Sequence, residues 1–345
     1  MKEQNITPNP RRAFFKAFGA LSAGALIAPA AQANSASTAT NEQNSDIKYK
    51  MASIIDLGAC DGCKDKATPA CVQACKDKNV ARFPNPIKDI PDYFPRKVHE
   101  DYSKQKDNIS RLTPYNWTYV EKLQADGKDV YLPRRCMHCD DPTCAKLCPF
   151  GTIGKDENGA VNIDENFCFG GAKCRDVCPW GIPQRQAGVG IYLKILPKLA
   201  GGGAMFKCDM CADLLAQGQK PACEVKCPKN AIIFGEREQI AKKAREMAAK
   251  YKEGKEGTFI YGDSQNGGTS TFYVCPVSFE SISAALNKKH GFNAQRVQKL
   301  GVPHMNIKVN NFVSDDSALI KATLMAPLIG VAAGVVAAIK AKEAK

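Results

Sequence analysis

Apolar positions gather into two uncharged runs near the ends of the chain, at 17–30 and 322–339, while between them they are short and scattered. The first run is too short to cross a bilayer, which takes about 20 residues, and the second lies at the lower limit of that length. In the middle, Val161, Asn162 and Ile163 follow Asp156-Glu157-Asn158-Gly159 and predict a turn leading into a short strand. Ala231 to Phe234 predicts the same role further on, and Thr271-Phe272-Tyr273-Val274 is strand-like. Residues 236–252 mix charges and alanines at helical spacing and predict a solvated surface helix. The stretch 82–132 is long and polar and predicts an irregular insertion; connections of that length are usually functional or disordered, so it is a candidate contact with a partner.

The flanks of the terminal runs decide what the runs are for. Pro10-Arg11-Arg12-Ala13-Phe14-Phe15-Lys16 precedes the first, and Ala31-Gln32-Ala33 follows it. A charged segment, an apolar segment and an A-x-A site make a signal peptide over 1–33, and the paired arginines mark the twin-arginine type. Residues 34–48 then predict a linker, rich in Ser, Ala, Thr and Asn. The second run is bracketed by Lys321 and by Lys340, Lys342 and Lys345, and predicts one membrane helix over 318–340. Its lysine excess places the C-terminus in the cytoplasm and everything before it on the periplasmic face of the inner membrane.

Sixteen cysteines among 345 residues change the picture from an ordinary globular composition to a metal-bearing one. They form four groups. Cys60, Cys63, Cys71 and Cys75 come first; Cys136, Cys139, Cys144 and Cys148 second; Cys168, Cys174 and Cys178 third; Cys208, Cys211, Cys223 and Cys227 fourth; Cys275 stands apart. Pro149, Pro179 and Pro228 follow the last cysteine of three groups, and Lys76 occupies that place in the first. A C-x2-C turn lets two thiolates reach neighbouring irons of one cubane, while the cysteine before proline points away and serves a second cluster. Proline, lacking an N–H, ends the local helical turn. Eight disulfides or several zinc ribbons are the competing uses of so many cysteines; the repeated C-x3-C-P endings argue against both.

Charge fits the same reading. The net charge of +13 and pI near 9.0 could attract nucleic acid, but removal of residues 1–33 lowers it to +10. Four clusters with their thiolates would offset roughly eight of those charges. The basic balance is thus mostly internal, and no nucleic-acid partner is expected.

The four groups, with Arg135-Cys136-Met137-His138-Cys139 and Cys178-Pro179-Trp180-Gly181-Ile182-Pro183, resemble the iron-sulfur subunits of respiratory molybdenum enzymes and nickel-iron hydrogenases over about residues 50–240. The signal peptide, the Thr113-Pro114-Tyr115-Asn116 and Gly301-Val302-Pro303 segments and the C-terminal anchor look most like the periplasmic subunit of hydrogenase-2-type complexes. Formate dehydrogenase beta subunits share the anchor and usually lack their own signal. The resemblance implies an α+β class: a pseudo-symmetric double bacterial-ferredoxin-like fold with long inserted loops and a single C-terminal transmembrane helix. It divides the chain into a four-cluster domain at 49–240, with the insertion at 82–132, and an accessory region at 241–316.

The same resemblance implies crossed ligand sets. Cys60, Cys63, Cys71 and Cys227 would hold one [4Fe-4S] cluster, and Cys208, Cys211, Cys223 and Cys75 another. Cys136, Cys139, Cys144 and Cys178 would hold a third. Cys168, Cys174 and Cys148 would hold a [3Fe-4S] cluster, since Gly171 stands where the family has its fourth ligand; a [4Fe-4S] cluster completed by water or another side chain, Cys275 included, is the alternative. Cys275 itself fits buried packing. His138 would tune a cluster by hydrogen bonding, and Arg134, Arg135, Lys146, Lys173 and Lys207, beside the ligands, could raise reduction potentials. No nucleophile elbow, P-loop or dinucleotide fingerprint occurs, so no catalytic residue is expected. The implied role is sequential one-electron transfer between a periplasmic catalytic subunit and a membrane quinone-reactive subunit.

Overall fold

The computed structural model describes residues 50–311 apart from 88, 91–99, 196–201 and 294–298. The signal peptide, linker and membrane helix expected at the two ends lie outside the described residues, as do Lys97 and His99 of the insertion. Among the described residues no helix is long and apolar enough to cross a membrane.

The central layer is a four-stranded sheet in the order β8-β1-β10-β9, made by β1 (Met51–Asp56), β8 (Ile232–Glu236), β9 (Ile260–Tyr261) and β10 (Thr271–Val274). β1 and β10 run parallel with Ser53 opposite Thr271, and β8 pairs antiparallel on the other side of β1. Period-2 alternation gives the sheet two apolar faces. Ala52, Ile54, Phe272 and Val274 pack under Ile240, Ala244 and Ala248 of α7 (Arg237–Lys252), while Ile55 and Tyr273 enter the larger core that contains most cysteines. The helix expected at 236–252 is therefore half solvated and half a lid on the sheet. β10, expected beyond the cluster domain, is an inner strand of that sheet, so the boundary expected near 240 falls inside one packed unit.

The remaining strands form two-stranded ribbons. β2 (Tyr119–Ala125) and β3 (Lys128–Arg134) make a hairpin closed at Asp126-Gly127, both at positive φ. This hairpin occupies the later part of the stretch expected to be irregular. The alternation of Tyr119, Glu121, Leu123 and Ala125 inward with Lys122 and Gln124 outward carries it, and Leu112, Tyr115 and Trp117 just before it are fully buried. β4 (Ile153–Lys155) and β5 (Val161–Ile163) pair across the expected turn, and β6 (Gln184–Gln186) pairs with β7 (Ala204–Phe206).

Short helices carry the cysteines. α1 (Ala70–Asn79), α2 (Thr143–Lys146), α3 (Lys173–Asp176) and α6 (Ala222–Val225) each begin one residue before a cysteine. α4 (Tyr192–Ile195) and α5 (Ala212–Leu215) are single turns. α8 (Phe279–His290) starts at Ser278, whose Oγ accepts from the Ser281 N–H, and stops at Gly291 in the left-handed region. Such a cap contributes about 1 kcal/mol, and Phe279, Ile282 and Leu286 of α8 are completely buried in the main core.

Candidate iron-sulfur sites

The same local device recurs in all four cysteine groups. Two residues after the first cysteine the backbone turns left-handed, at Gly62 (φ 69°), His138 (φ 49°), Gly170 (φ 66°) and Met210 (φ 59°). A turn of that kind reverses the local path so that successive thiols face one point. Pro69, Pro142 and Pro221 then precede α1, α2 and α6, and Ala172, at φ 58°, precedes α3. α2, α3 and α6 end before the Cys-Pro pair, because proline has no N–H to continue them. In α1 the place is held by Lys76, and the helix continues to Asn79.

These turns and helices bring cysteines from distant groups together. Cys60, Cys63 and Cys71 line one cavity with Cys227, against Val120, Pro133 and Ile232. Cys136, Cys139 and Cys144 line a second with Cys178, against Val161, Trp180 and Ile182. Burial raises the Cys60 thiol to about 11, with Cys227 and Cys63 adding to the shift, and raises Cys144 to about 12, with Cys178 adding. Burial also holds Cys75 well above its usual value, reinforced by Cys208, Cys223 and Cys211. For Cys174 the same holds, with Cys144, Cys168, Cys148 and Cys178 adding to the effect. Four neighbourhoods result, which we number I (60, 63, 71, 227), II (208, 211, 223, 75), III (136, 139, 144, 178) and IV (168, 174, 148). They follow one another: Cys223 acts on Cys71, Cys136 on Cys208, and Cys144 on Cys174.

Such crowding of buried thiols is unfavourable if they ionise without a compensating cation. The sixteen cysteines are thiols, not disulfides. Among the described residues no group of three or more His, Cys, Asp or Glu converges as the ligands of a single metal ion do. The thiols of sites I and III instead stand around cavities, the arrangement that a cubane of iron and sulfide needs. Buried donors without acceptors point the same way. His138 is fully buried; its Nδ1 accepts the Val161 N–H at 2.9 Å, which puts the proton of the neutral ring on Nε2, and Nε2 has no protein partner. Arg135 Nε is equally buried and unpartnered. Cluster sulfides are acceptors, so the residues present fit the group.

Several thiols also receive hydrogen bonds. Met210 N–H donates to Cys208 at 3.4 Å, Gly170 N–H to Cys168 at 3.5 Å, Ala231 N–H to Cys227 at 3.3 Å and Asn79 Nδ2 to Cys75 at 3.7 Å. Thr152 Oγ1 lies 3.4 Å from Cys148. Asn79 and Thr152 belong to no motif, and nothing in the sequence marks them. Nor does anything mark Lys155, whose buried Nζ donates to the Cys139 carbonyl at 2.8 Å and pairs with Asp140 at 3.2 Å. Burial lowers Lys155 to about 8, against the opposing pull of Asp140. Cys275 follows β10 within the core, where its Sγ accepts the Val277 N–H at 3.4 Å; it lines neither cysteine cavity.

Two overlapping stretches, residues 59–152 and 128–237, match models of a 4Fe-4S dicluster domain. That places the molecule in a class: a ferredoxin-like iron-sulfur protein built from two dicluster units. The iron-sulfur subunit of the nitrate-inducible formate dehydrogenase of Escherichia coli (strain K12) is 32% identical over 66% of this chain and 69% of its own length. The hydrogenase-2 operon protein HybA of Escherichia coli O157:H7 is 28% identical over 79% of this chain and 82% of its own. The B subunit of the anaerobic dimethyl sulfoxide reductase of Escherichia coli (strain K12) is 33% identical over 57% and 78%. The protein belongs to this family of iron-sulfur subunits. It is an electron-transfer component of an oxidoreductase complex, not the catalytic subunit.

Proposed function

We propose that the protein relays electrons through four clusters, held by sites I to IV in that order, between a periplasmic nickel-iron hydrogenase and a membrane quinone-reactive subunit. Each cluster, when bound, accepts and releases one electron. The protein's part is to fix the thiols, exclude water and set local charge. Sites I, II and III hold [4Fe-4S] clusters, and site IV, where Gly171 replaces the fourth thiol, holds [3Fe-4S]. The observation that carries the reading is the gathering of cysteines far apart in sequence, Cys227 with Cys60 and Cys178 with Cys136, into buried sets that adjoin one another.

The hydrogenase partner is favoured by the extent of the likeness to HybA, which covers 79% of this chain against 66% for the formate dehydrogenase subunit. A formate dehydrogenase or other molybdenum partner is the second reading, favoured by the higher identity of 32%. Paired Arg11 and Arg12 support twin-arginine export, and the uncharged run at 322–339 supports a membrane anchor with a cytoplasmic C-terminus. Isolation of the native complex separates the partners: nickel is expected and molybdenum in its place would overturn the hydrogenase assignment. Electron paramagnetic resonance of the oxidised protein is expected to show a [3Fe-4S] signal, and its absence from a fully loaded sample would refute the site IV assignment.

A further inference from the structure

Arg134, Arg135, Lys146, Lys173 and Lys207 are among the basic residues beside cysteines in sequence, and the fold separates them. Lys146 is half exposed and pairs with Asp141 at 2.6 Å, and Lys173 is exposed. Arg134 is buried, but it lies beside the Glu121 carboxylate and donates to the Pro303 and His304 carbonyls. Arg135 and Lys207 differ. Arg135 is 3% exposed and Lys207 5% exposed, and among the described residues neither is in an ion pair. Lys207 donates to the Val161 and Cys208 carbonyls and lines the cavity of site III. Arg135 reaches Cys223 of site II at 3.8 Å, donates to Ser53 Oγ and lies 4.9 Å over the Phe234 ring. The nearest acid in sequence, Asp209, is engaged by Arg82 and by Lys78.

We infer that Lys207 and Arg135 are a pair of fixed buried cations at the junction of the two halves, and that they raise the reduction potentials of the clusters in sites II and III. Resting on the cluster assignment proposed above, the argument is electrostatic. A cation in low dielectric favours whichever state of its neighbour is more negative, and reduction adds a negative charge. Lys207 adjoins Cys136 and Cys144 on one side and Cys208 on the other; Arg135 adjoins Cys223, Cys208 and Cys211. The cysteines that act most on either cation all belong to sites II and III. Carbonyls solvate these cations without neutralising them, and Asp209, the carboxylate that acts on Lys207, is itself held by Arg82 and Lys78, so positive charge remains beside the clusters. They are positioning residues: the hydrogen bonds to Val161 and Ser53 hold them in place, and their effect is exerted through the neighbouring clusters.

The test is potentiometric titration of the anaerobically purified full-length holoprotein, followed by electron paramagnetic resonance. Lys207→Met is expected to shift the reduction equilibrium of the site II and III clusters at least tenfold toward the oxidised state, about 59 mV lower for one electron, with less than threefold change at sites I and IV. Arg135→Met is expected to act mainly on site II. Lys207→Arg, which keeps the charge, and Lys146→Met, which removes an exposed one, are expected to stay within threefold of wild type. Midpoints in Lys207→Met and Arg135→Met no different from those in Lys146→Met would overturn the inference. If the neutral variants cannot be loaded while Lys207→Arg and Arg135→Lys can, the charges serve assembly and the inference also fails. Wild-type protein lacking iron and labile sulfide would instead remove the cluster assignment itself.

Discussion

The half built from groups one and four and the half built from groups two and three share a plan and differ in support. Sites I and II, with four thiols each, lean on the four-stranded sheet: Ile232 of β8 walls site I, and Ser53 of β1 anchors the arginine beside site II. Site III meets the same sheet at the start of β10, where Thr271 Oγ1 donates to the Cys136 carbonyl and Ser270 N–H to the His138 carbonyl; sites III and IV are framed mainly by short ribbons and loops, and group three has three cysteines. Helix length sets group one apart even within its own half, with ten residues in α1 against four in α6 and four in each helix, α2 and α3, of the other half. Duplication of the plan therefore did not require duplication of the frame. What both halves retain is the left-handed turn and the helix that starts one residue before a cysteine.

The largest expected effect tests whether the halves are truly crossed within themselves. Cys227→Ser should abolish or reduce the cluster signal of site I, supplied mainly by group one, while leaving site II with its own four thiols. Cys178→Ser should do the same to site III and spare site IV. Iron content and low-temperature electron paramagnetic resonance read both. Loss at site II in the Cys227→Ser protein would show that each run keeps its last cysteine for itself.

Next in size is the proline difference. Lys76→Pro would bring group one into line with the others, but residue 76 lies inside α1, where proline removes a helical hydrogen bond and clashes with the preceding turn. A loss of about 3 kcal/mol in denaturant unfolding is expected. Pro149→Ala, at a helix already ended, should cost under about 1 kcal/mol. Equal effects would mean that α1 is no longer than its counterparts in solution.

The turn glycines sharpen the comparison further. A Cβ at Gly170 would sit 2.5 Å from the backbone of Gly203, which cannot move without dragging β7, whereas one at Gly62 would meet the ring of Tyr131, a half-buried side chain. Both substitutions carry the left-handed penalty of about 1 kcal/mol. Gly170→Ala should cost about 3 kcal/mol in total and Gly62→Ala about 1 to 2 kcal/mol. Thermal unfolding of loaded protein orders them, and the reverse order would contradict the tighter packing of the second half.

Cysteine spacing alone announced the four groups, because thiol chemistry at fixed short separations has few other uses. β5, β10 and α7 were visible through period and composition, with α7 found within one residue of its expected start. The β2–β3 hairpin was legible in principle from its alternation and the Asp126-Gly127 turn, but its charged outer positions gave it the look of an irregular stretch. The sheet order was not legible at all. β1 and β10 are parallel neighbours more than two hundred residues apart, and nothing local in Thr271-Phe272-Tyr273-Val274 names its partner. The sorting of basic residues into buried and exposed was hidden for the same reason, since adjacency to a cysteine in sequence does not fix which way a lysine points.

The smallest effect concerns what joins the halves. The hairpin contributes Val120 and Pro133 to the wall of site I and leads through Arg135 into Cys136 of site III, so its anchorage bears on both. Glu121 supplies that anchorage: its buried carboxylate lies 2.5 Å from His290 Nε2 and 2.9 Å from Lys289 Nζ of α8. Burial pushes its pKa up, but Arg134, His290 and Lys289 reverse the shift and hold the carboxyl below its usual value. A depressed folded-state value stabilises the fold above the unfolded-state pKa, and the contribution fades as pH falls through the folded-state value. Lys289 is half exposed and counts for little. Glu121→Gln should therefore cost about 1 to 2 kcal/mol at pH 7, with the difference from wild type closing below about pH 4. Hydrogen exchange should rise together in β2 and α8. A rise confined to residues around one site would assign the hairpin to that half alone, and a pH-independent difference would show that Glu121 acts through packing and not through its charge.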